Sequence, residues 1–181
     1  MHETDEFDSV TTRGGDRGES GYYSGERRRK DDLVFEALGD IDEVNSFVGV
    51  ARARLYGAVG SEFGLLDIQT RLVRLASMVA TTPGHELYDS FDHIDNDDVE
   101  AIERMQRDLM TRTRIDPVFV LPGASDASAA VDVARSVSRR AERTLVSLIR
   151  ERGRFDLHAC QHYLNRLSDW LFVLARHVDQ S

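Results

Sequence analysis

Residues 125–152 contain neither glycine nor proline, and apolar residues recur among them at intervals of three or four positions. At about 100° per residue these positions fall on one side of an α-helix, so the segment predicts a long amphipathic helix. Ser125 is suited to cap its start, and Gly153 to end it. The predicted apolar stripe consists of Ala130, Val133, Ala134, Val137, Ala141, Leu145 and Leu148. The rest of the fold must supply apolar partners along the whole of this stripe.

The opposite side of the same predicted helix is charged and carries Arg135, Arg139 and Glu142. Most charged helix faces are solvated, and periodicity alone favours that interpretation. The alternative is an ionic face directed at a polyanion or at a partner subunit. Periodicity leaves both interpretations open.

Four further segments show the helical period, over residues 32–56, 61–81, 95–114 and 156–178. Turns are predicted at residues 57–60 and at Pro83, and Asp156 is predicted to cap the last helix. Asp97 and Asp98 fall in the first turn of the third helix, where the helix dipole favours acidic side chains. No segment of useful length alternates with the period of a strand. The chain therefore predicts an all-α, up-and-down five-helix bundle over residues 32–181.

Two segments precede the predicted bundle. Residues 1–10 are acidic and are predicted to form a disordered tail. Residues 11–31 hold five of the 13 glycines and end with Lys30, the single lysine. This glycine-rich segment is either a flexible linker or an ordered loop whose backbone N–H groups approach an anion. It is not a Walker A loop, because no Gly-Lys-Ser/Thr sequence follows its glycines.

The composition excludes several classes of function. The net charge of −9 argues against a general nucleic-acid-binding protein, which needs a basic surface. The acids are 20 aspartates and 12 glutamates, whereas the bases are 22 arginines and one lysine. This bias suggests either a high-salt cytoplasm or GC-rich coding. A lone cysteine, the absence of a signal-peptide pattern and the lack of an 18-residue apolar run predict a cytoplasmic protein without a membrane span.

Three stretches occur in an order that resembles one family. The first is Thr-Arg-Gly-Gly-Asp-Arg-Gly at residues 12–18, followed by Lys-Asp-Asp at 30–32 and Gly-Asp-Ile-Asp-Glu-Val-Asn-Ser at 39–46. The second is Phe-Val-Leu-Pro-Gly at 119–123, followed by Arg-Arg-Ala-Glu-Arg at 139–143. The third is Asn-Arg-Leu-Ser-Asp at 165–169. Together they resemble the ATP:cob(I)alamin (corrinoid) adenosyltransferases of the PduO-like, propanediol-utilisation type.

The resemblance implies a homotrimer of ferritin-like helical bundles with an active site at each subunit interface. It implies that cob(I)alamin attacks C5′ of ATP, giving adenosylcobalamin and triphosphate. Mg²⁺ would arrive with ATP, and no metal-binding set of protein side chains is implied. A cob(II)alamin reductase and an adenosylcobalamin-dependent mutase are the implied partners. The alternative is a non-catalytic trimer that binds ATP or corrinoid as a sensor or carrier.

The resemblance also implies roles for individual residues. Arg139, Lys30, Asp42 and Arg135 form the implied catalytic set, in which Asp42 and Arg135 pair across subunits. Phe119 and Phe172 match aromatic residues on the corrinoid side. The implied ATP-binding residues are Thr12, Arg13, Gly14, Gly15, Ser20, Gly21, Lys30, Arg139, Arg140, Ala141, Glu142, Arg143 and Asn165.

The sequence departs from the family pattern in two places. Gly14, Arg17, Glu19 and Ser20 differ from the residues common in the loop, which affects the expected phosphate contacts. Ala124 and Asp132 replace a frequent glycine and a frequent histidine, and local packing is the expected reason.

Overall fold

Five long helices make up most of the structure, a computed structural model that describes Phe7 and residues 10–59 and 63–181. The predicted all-α five-helix fold is confirmed. Apart from Phe7 and Val10, the predicted acidic tail lies outside the described residues, as do residues 60–62. In chain order the helices are α1 (Leu33–Val59), α2 (Leu65–Val79), α3 (Asn96–Met110), α4 (Asp126–Arg152) and α5 (His158–Asp179).

Helix α4 lies at the centre, with α1 packed along one side and α5 along the other. The ion pairs Arg152–Asp32 and Arg54–Asp126, each at 3.2 Å, join opposite ends of α1 and α4 and show that these helices are antiparallel. Helix α2 packs on α1, and α3 packs on α5. The buried side chains of α4 include most of its predicted stripe, and each fully buried leucine contributes about 1.5–3 kcal/mol.

Both predicted ends of α4 are confirmed. The Ser125 side chain accepts a hydrogen bond from the Ser128 backbone N–H at 3.1 Å, and the Ser128 hydroxyl accepts one from the Ser125 N–H at 3.1 Å. Gly153 takes the left-handed conformation, with φ of 65°, and its N–H bonds to the Ile149 carbonyl. These caps satisfy backbone groups that a helix end otherwise leaves unpaired.

One stripe position was predicted wrongly. Val133 is 41 % exposed, because it faces the segment that contains Pro122 and Gly123 instead of the interior of the bundle.

Three other predicted helix ends are wrong. Helix α1 continues to Val59 through the turn predicted at residue 57, because one glycine costs only about 1 kcal/mol and Leu55 remains buried. Helix α3 ends at Met110, four residues early, since the Thr111 and Thr113 hydroxyls donate to helix carbonyls at 2.7 Å and so satisfy its last turn. Helix α2 begins at Leu65 after Gly64, whose left-handed φ of 79° precedes the first helical turn.

Asp156 does not cap α5 as predicted. It lies in a short 3₁₀ turn, Phe155–Leu157, and α5 begins at His158. The Asp156 carboxylate instead accepts hydrogen bonds from Arg154 at 3.0 Å and from the Tyr88 hydroxyl at 2.7 Å. These contacts leave it unavailable to the N–H groups of the helix.

The glycine-rich segment contains a β-hairpin that the sequence did not predict. Strand β1 (Glu19–Gly21) pairs antiparallel with β2 (Arg27–Arg29), with Ser20 opposite Arg28. Three residues per strand are too few to show a two-residue period. Among the described helices, none is long and apolar enough to span a membrane.

Candidate active site

A shallow pocket of about 300 Å³ lies where α4 meets α5, and four of the predicted ATP-binding residues line it. Its lining consists of Arg139, Glu142, Arg143, Val146 and Asn165, which we call the α4 pocket. A single turn of α4 places the first three side chains on one face, as their spacing of three and four residues requires.

The polar groups of the α4 pocket are held in place by hydrogen bonds. The Asn165 side-chain amide donates to Glu142 Oε1 at 3.0 Å. Its oxygen accepts from Arg166, whose Nε also donates to Glu103 at 2.8 Å. The hydrogen bond from Arg166 holds the pKa of Glu103 below its ordinary value. The Arg139 side chain, in contrast, is exposed and has no carboxylate partner within the described residues.

Arg140 and Ala141 belong to the predicted ATP set but lie on other faces of α4. The Arg140 guanidinium contacts Asp40 at 2.8 Å and also Glu43, both on α1. The Thr144 hydroxyl donates to the same Asp40 at 2.6 Å. Ala141 is buried in the core. Arg140 and Ala141 therefore fix α4 against the bundle, and the structure does not bring them into the α4 pocket.

The predicted loop residues lie in one short segment that ends at Lys30, and Gly15 lies against the Lys30 side chain. We call residues 11–31 the glycine loop. Its backbone closes on itself, since the Lys30 N–H donates to the Gly18 carbonyl at 2.8 Å. The Lys30 ammonium lies over Gly15, where an added Cβ would be 2.7 Å from Nζ. Thr12 Oγ1 accepts from the Gly14 N–H at 3.4 Å, and Ser20 and Gly21 lie on β1.

In the glycine loop, Arg27, Arg28 and Arg29 pair with carboxylates, whereas Arg13 and Lys30 are available to a ligand. Arg13 takes a left-handed φ of 55°, uncommon for a residue with a side chain. No carboxylate in the described part of the chain pairs with Arg13 or with Lys30. The loop therefore presents glycine backbone and unpaired positive charge, which suits a phosphate group.

Contacts with the end of α2 anchor the glycine loop. The Tyr23 N–H donates to the Ala80 carbonyl at 2.9 Å. The Glu26 carboxylate accepts from the Ser24 hydroxyl and from the Thr82 hydroxyl, the latter at 2.7 Å. These hydrogen bonds, the one from Ser24 above all, lower the pKa of Glu26 to about 2. The segment is an ordered loop, and the linker alternative is wrong.

Within one chain the glycine loop and the α4 pocket do not meet. The loop leads into α1 beside Arg152, which pairs with Asp32 at the C-terminal end of α4. Arg139 lies 13 residues earlier, about 20 Å away along the helix. No hydrogen bond or ion pair joins the two regions among the residues that the structure describes.

The predicted pair Asp42 and Arg135 is not formed within the chain. Asp42 is exposed on α1, in an apolar groove of about 250 Å³ between α1 and α2. Arg135 Nε contacts Asp132 Oδ1 of its own helix at 2.9 Å. A pair between Asp42 and Arg135 would therefore have to form between two chains, as the resemblance implies.

The two predicted corrinoid-side aromatics lie on different elements. The Phe119 side chain is fully exposed in an irregular segment, residues 115–124, which we call the aromatic segment. Phe172 is partly buried on α5, with the Arg176 guanidinium 5.4 Å from its ring centroid. Their rings are not in contact with each other.

A model of the cobalamin adenosyltransferase family matches residues 10–178. The chain belongs to the cobalamin adenosyltransferase family. The human corrinoid adenosyltransferase MMAB is 37 % identical over 183 residues, covering 97 % of this chain and 70 % of that protein. A corrinoid adenosyltransferase from Bacillus subtilis (strain 168) is 35 % identical over 182 residues, covering 93 % of this chain and 85 % of the relative.

Solved structures of the cobalamin adenosyltransferase family share the fold. A variant PduO-type ATP:corrinoid adenosyltransferase from Lactobacillus reuteri, complexed with cobalamin and ATP, superposes with a TM-score of 0.85. It is 27 % identical, covering 94 % of this chain and 93 % of that one. A second variant from the same organism, complexed with ATP, has a TM-score of 0.82 and is 28 % identical.

Several residues that support the site of this cobalamin adenosyltransferase were not predicted from the sequence. Arg166, Asp40 and Arg176 each hold a predicted site residue or its neighbour. Arg176 lies four residues after Phe172, a spacing that puts both on one side of α5 and was available as a signal. The contact of Arg140 with Asp40 joins residues 100 positions apart and leaves no local signal.

Proposed function

We propose that this chain transfers the 5′-deoxyadenosyl group of ATP to the cobalt of cob(I)alamin, giving adenosylcobalamin and inorganic triphosphate. The observation that carries this proposal is the family match over residues 10–178, which includes both the glycine loop and the α4 pocket. The residue types of those two regions suit the binding of a nucleoside triphosphate.

The triphosphate of ATP would contact cations and backbone N–H groups. Lys30 and the N–H groups near Gly14 and Gly15 would contact it from the glycine loop. Arg139 and Arg143 would contact it from the α4 pocket. Exposed guanidinium and ammonium groups form charge-assisted hydrogen bonds with phosphate oxygens, and these are stronger than neutral ones. Glu142 and Asn165, already oriented by each other, would fix the polar edge of the nucleoside.

The complete site would form between chains of a homotrimer. Within one chain, the glycine loop leads into α1 beside Arg152, which lies about 20 Å along α4 from Arg139, a separation that favours a site shared by two subunits. Asp42 on α1 of one subunit would then meet Arg135 on α4 of its neighbour. A matching pair of exposed or partly exposed charges at an interface fixes its register.

The protein would supply positioning and electrostatic stabilisation. The nucleophile is the cobalt of the substrate, so the protein needs no nucleophilic serine or cysteine. Holding two substrates in a reactive geometry can lower the barrier by roughly 7–11 kcal/mol. Cations around the leaving triphosphate, with Mg²⁺ arriving on ATP, would stabilise the charge that develops there. Phe119 and Phe172 would provide an apolar wall that keeps water from the cobalt.

The decisive experiment supplies ATP, Mg²⁺ and chemically reduced cobalamin, and follows the absorbance of adenosylcobalamin. We expect turnover, with one triphosphate released for each adenosylcobalamin formed. ATP binding without turnover would contradict the proposal and identify a non-catalytic binding protein.

A further inference from the structure

A buried ionic cluster joins α4 to the end of α5, next to the proposed corrinoid side. Its central residue is Asp132, which is only 3 % exposed. Asp132 Oδ1 contacts Arg135 Nε at 2.9 Å, and Oδ2 contacts an Arg176 terminal nitrogen at 2.6 Å. Arg176 Nε contacts Asp179 at 2.8 Å. Two carboxylates thus balance two guanidinium groups.

Asp132 links three parts of the corrinoid side that are separate along the chain. Asp132 contacts Arg135, the side chain proposed to pair with Asp42 across the subunit interface. Through Arg176 it reaches the ring of Phe172, since that guanidinium lies 5.4 Å from the ring centroid. Asp132 also lines an apolar cleft of about 340 Å³ beside Pro122 and Gly123 of the aromatic segment.

The energetics make the Asp132 carboxylate the group on which this geometry depends. A buried carboxylate is tolerated only when its oxygens are paired, and here each oxygen has one arginine. Removal of its charge would leave Arg135 without its carboxylate in the described chain, and Arg176 with Asp179 alone. Arg135 would then be free to turn toward other acceptors, and Arg176 would be held from one side, by Asp179.

We propose that Asp132 is a positioning residue for the corrinoid half of the reaction. It holds Arg135 at the interface and, through Arg176, the ring of Phe172. It makes no contact with the α4 pocket or the glycine loop, so it acts on corrinoid binding and not on ATP binding. This inference rests on the proposed function.

The test compares Asp132→Asn with Asp98→Asn. Asp98 is a matched control, since it is also a buried carboxylate held by two arginines, Arg71 at 2.8 Å and Arg74 at 3.1 Å. It joins α2 to α3 and lies outside the proposed site. Both variants are expected to lower the melting temperature. Only Asp132→Asn should raise the KM for cob(I)alamin, by about tenfold, with the KM for ATP unchanged.

A double-variant cycle tests whether Asp132 acts through Phe172. If it does, the effects of Asp132→Asn and Phe172→Leu on the KM for cob(I)alamin will not add, because each disturbs the same ring. Should Asp132→Asn fail to fold, Arg176→Lys replaces it in the test, because it keeps the positive charge but loses the planar guanidinium. It should likewise raise the KM for cob(I)alamin and leave the KM for ATP unchanged.

Three results would overturn the inference. One is an unchanged KM for both substrates, which would leave Asp132 a purely structural residue. Another is an equal rise in both KM values, and the third is strict additivity in the cycle. Absence of turnover in the unaltered protein would contradict the proposed function instead. In that case binding of cob(II)alamin, measured by its absorbance in the same variants, still tests the role of Asp132.

Discussion

The two regions proposed to bind ATP are built in different ways. In the α4 pocket, Arg139, Glu142 and Arg143 project from one turn of a 27-residue helix that is capped at both ends. The glycine loop has only two three-residue strands, and its position depends on side chains that contact the end of α2. A helix fixes its side chains through its own backbone, whereas a loop needs tertiary contacts to do so.

This difference predicts different responses to substitution. In the α4 pocket, the loss of a side chain should remove a contact without changing the surrounding geometry. In the glycine loop, the loss of an anchor distant from the nucleotide should also weaken ATP binding, although less than the loss of a contact does. The three predictions below test this contrast, in decreasing order of expected effect.

The largest effect is expected for Arg139→Ala. Loss of a cation from the leaving triphosphate should lower kcat by about 100- to 1,000-fold, as the removal of a preorganised donor does in other enzymes. The melting temperature should be unchanged, because the Arg139 side chain is exposed. Steady-state rates and thermal melts measure the two quantities.

Arg150→Ala provides the matched control for Arg139. Arg150 is exposed on the same helix and, among the residues that the structure describes, pairs only with its neighbour Glu151, at 3.5 Å. Its replacement should leave kcat unchanged. An equal loss in both variants would show that general surface charge, not a contact with the triphosphate, explains the effect.

Lys30 is expected to give the next largest effect, and its chemistry allows a test without mutagenesis. It is the single lysine of the chain, so reductive methylation changes only Lys30 and the N-terminal amine. Modification should raise the KM for ATP, and bound ATP should protect the enzyme, because the ammonium would then be covered by phosphate. The variant Lys30→Arg has no lysine to methylate. If this variant is active and methylation leaves its activity unchanged, the effect is assigned to Lys30. Loss of activity without protection by ATP would contradict its place in the site.

Much of the helical framework was predictable from local spacing. A period of 3.6 residues predicts the stripe of α4 and the shared side of Arg139 and Glu142. The residue types at Ser125 and Gly153 predict its two caps. Val133 was misplaced because periodicity gives the direction of a stripe but not which neighbour covers its edge. Here the aromatic segment, and not the core, lies beside it.

Contacts between distant residues were not predictable in this way. The hairpin is anchored by Glu26 and Thr82, which are 56 positions apart. The Asp132–Arg176 pair joins residues 44 positions apart on two helices. Asp132 lies three residues before Arg135, so one half of that cluster was visible in the sequence. The contact with Arg176 required the packing of α4 against α5, which no local pattern specifies.

The smallest effect is expected for Glu26→Gln, which removes a charge from the anchor of the glycine loop but not from the site. The neutral amide accepts weaker hydrogen bonds from Ser24 and Thr82, so the loop should open more often and the KM for ATP should rise a few-fold. The kcat and the KM for cob(I)alamin should stay unchanged. Glu86→Gln is the control, because the Glu86 carboxylate is exposed on the nearby loop. It forms no hydrogen bond or ion pair with any residue that the structure describes.

The pH dependence of this anchor has a definite sign. The folded-state pKa of Glu26, about 2, lies below its ordinary value of 4.5, so the ionised form is the one that holds the loop. The anchor is complete above about pH 4.5 and is lost as the pH falls toward 2. Isothermal titration with ATP between pH 7 and pH 4 measures the ATP affinity of the unaltered protein and of Glu26→Gln. The ratio of these two affinities should keep its largest value from pH 7 down to about pH 5. A ratio that disappears well above pH 5 would mean that Glu26 is not held as the structure shows, and that the glycine loop, like the α4 pocket, is positioned by its own backbone.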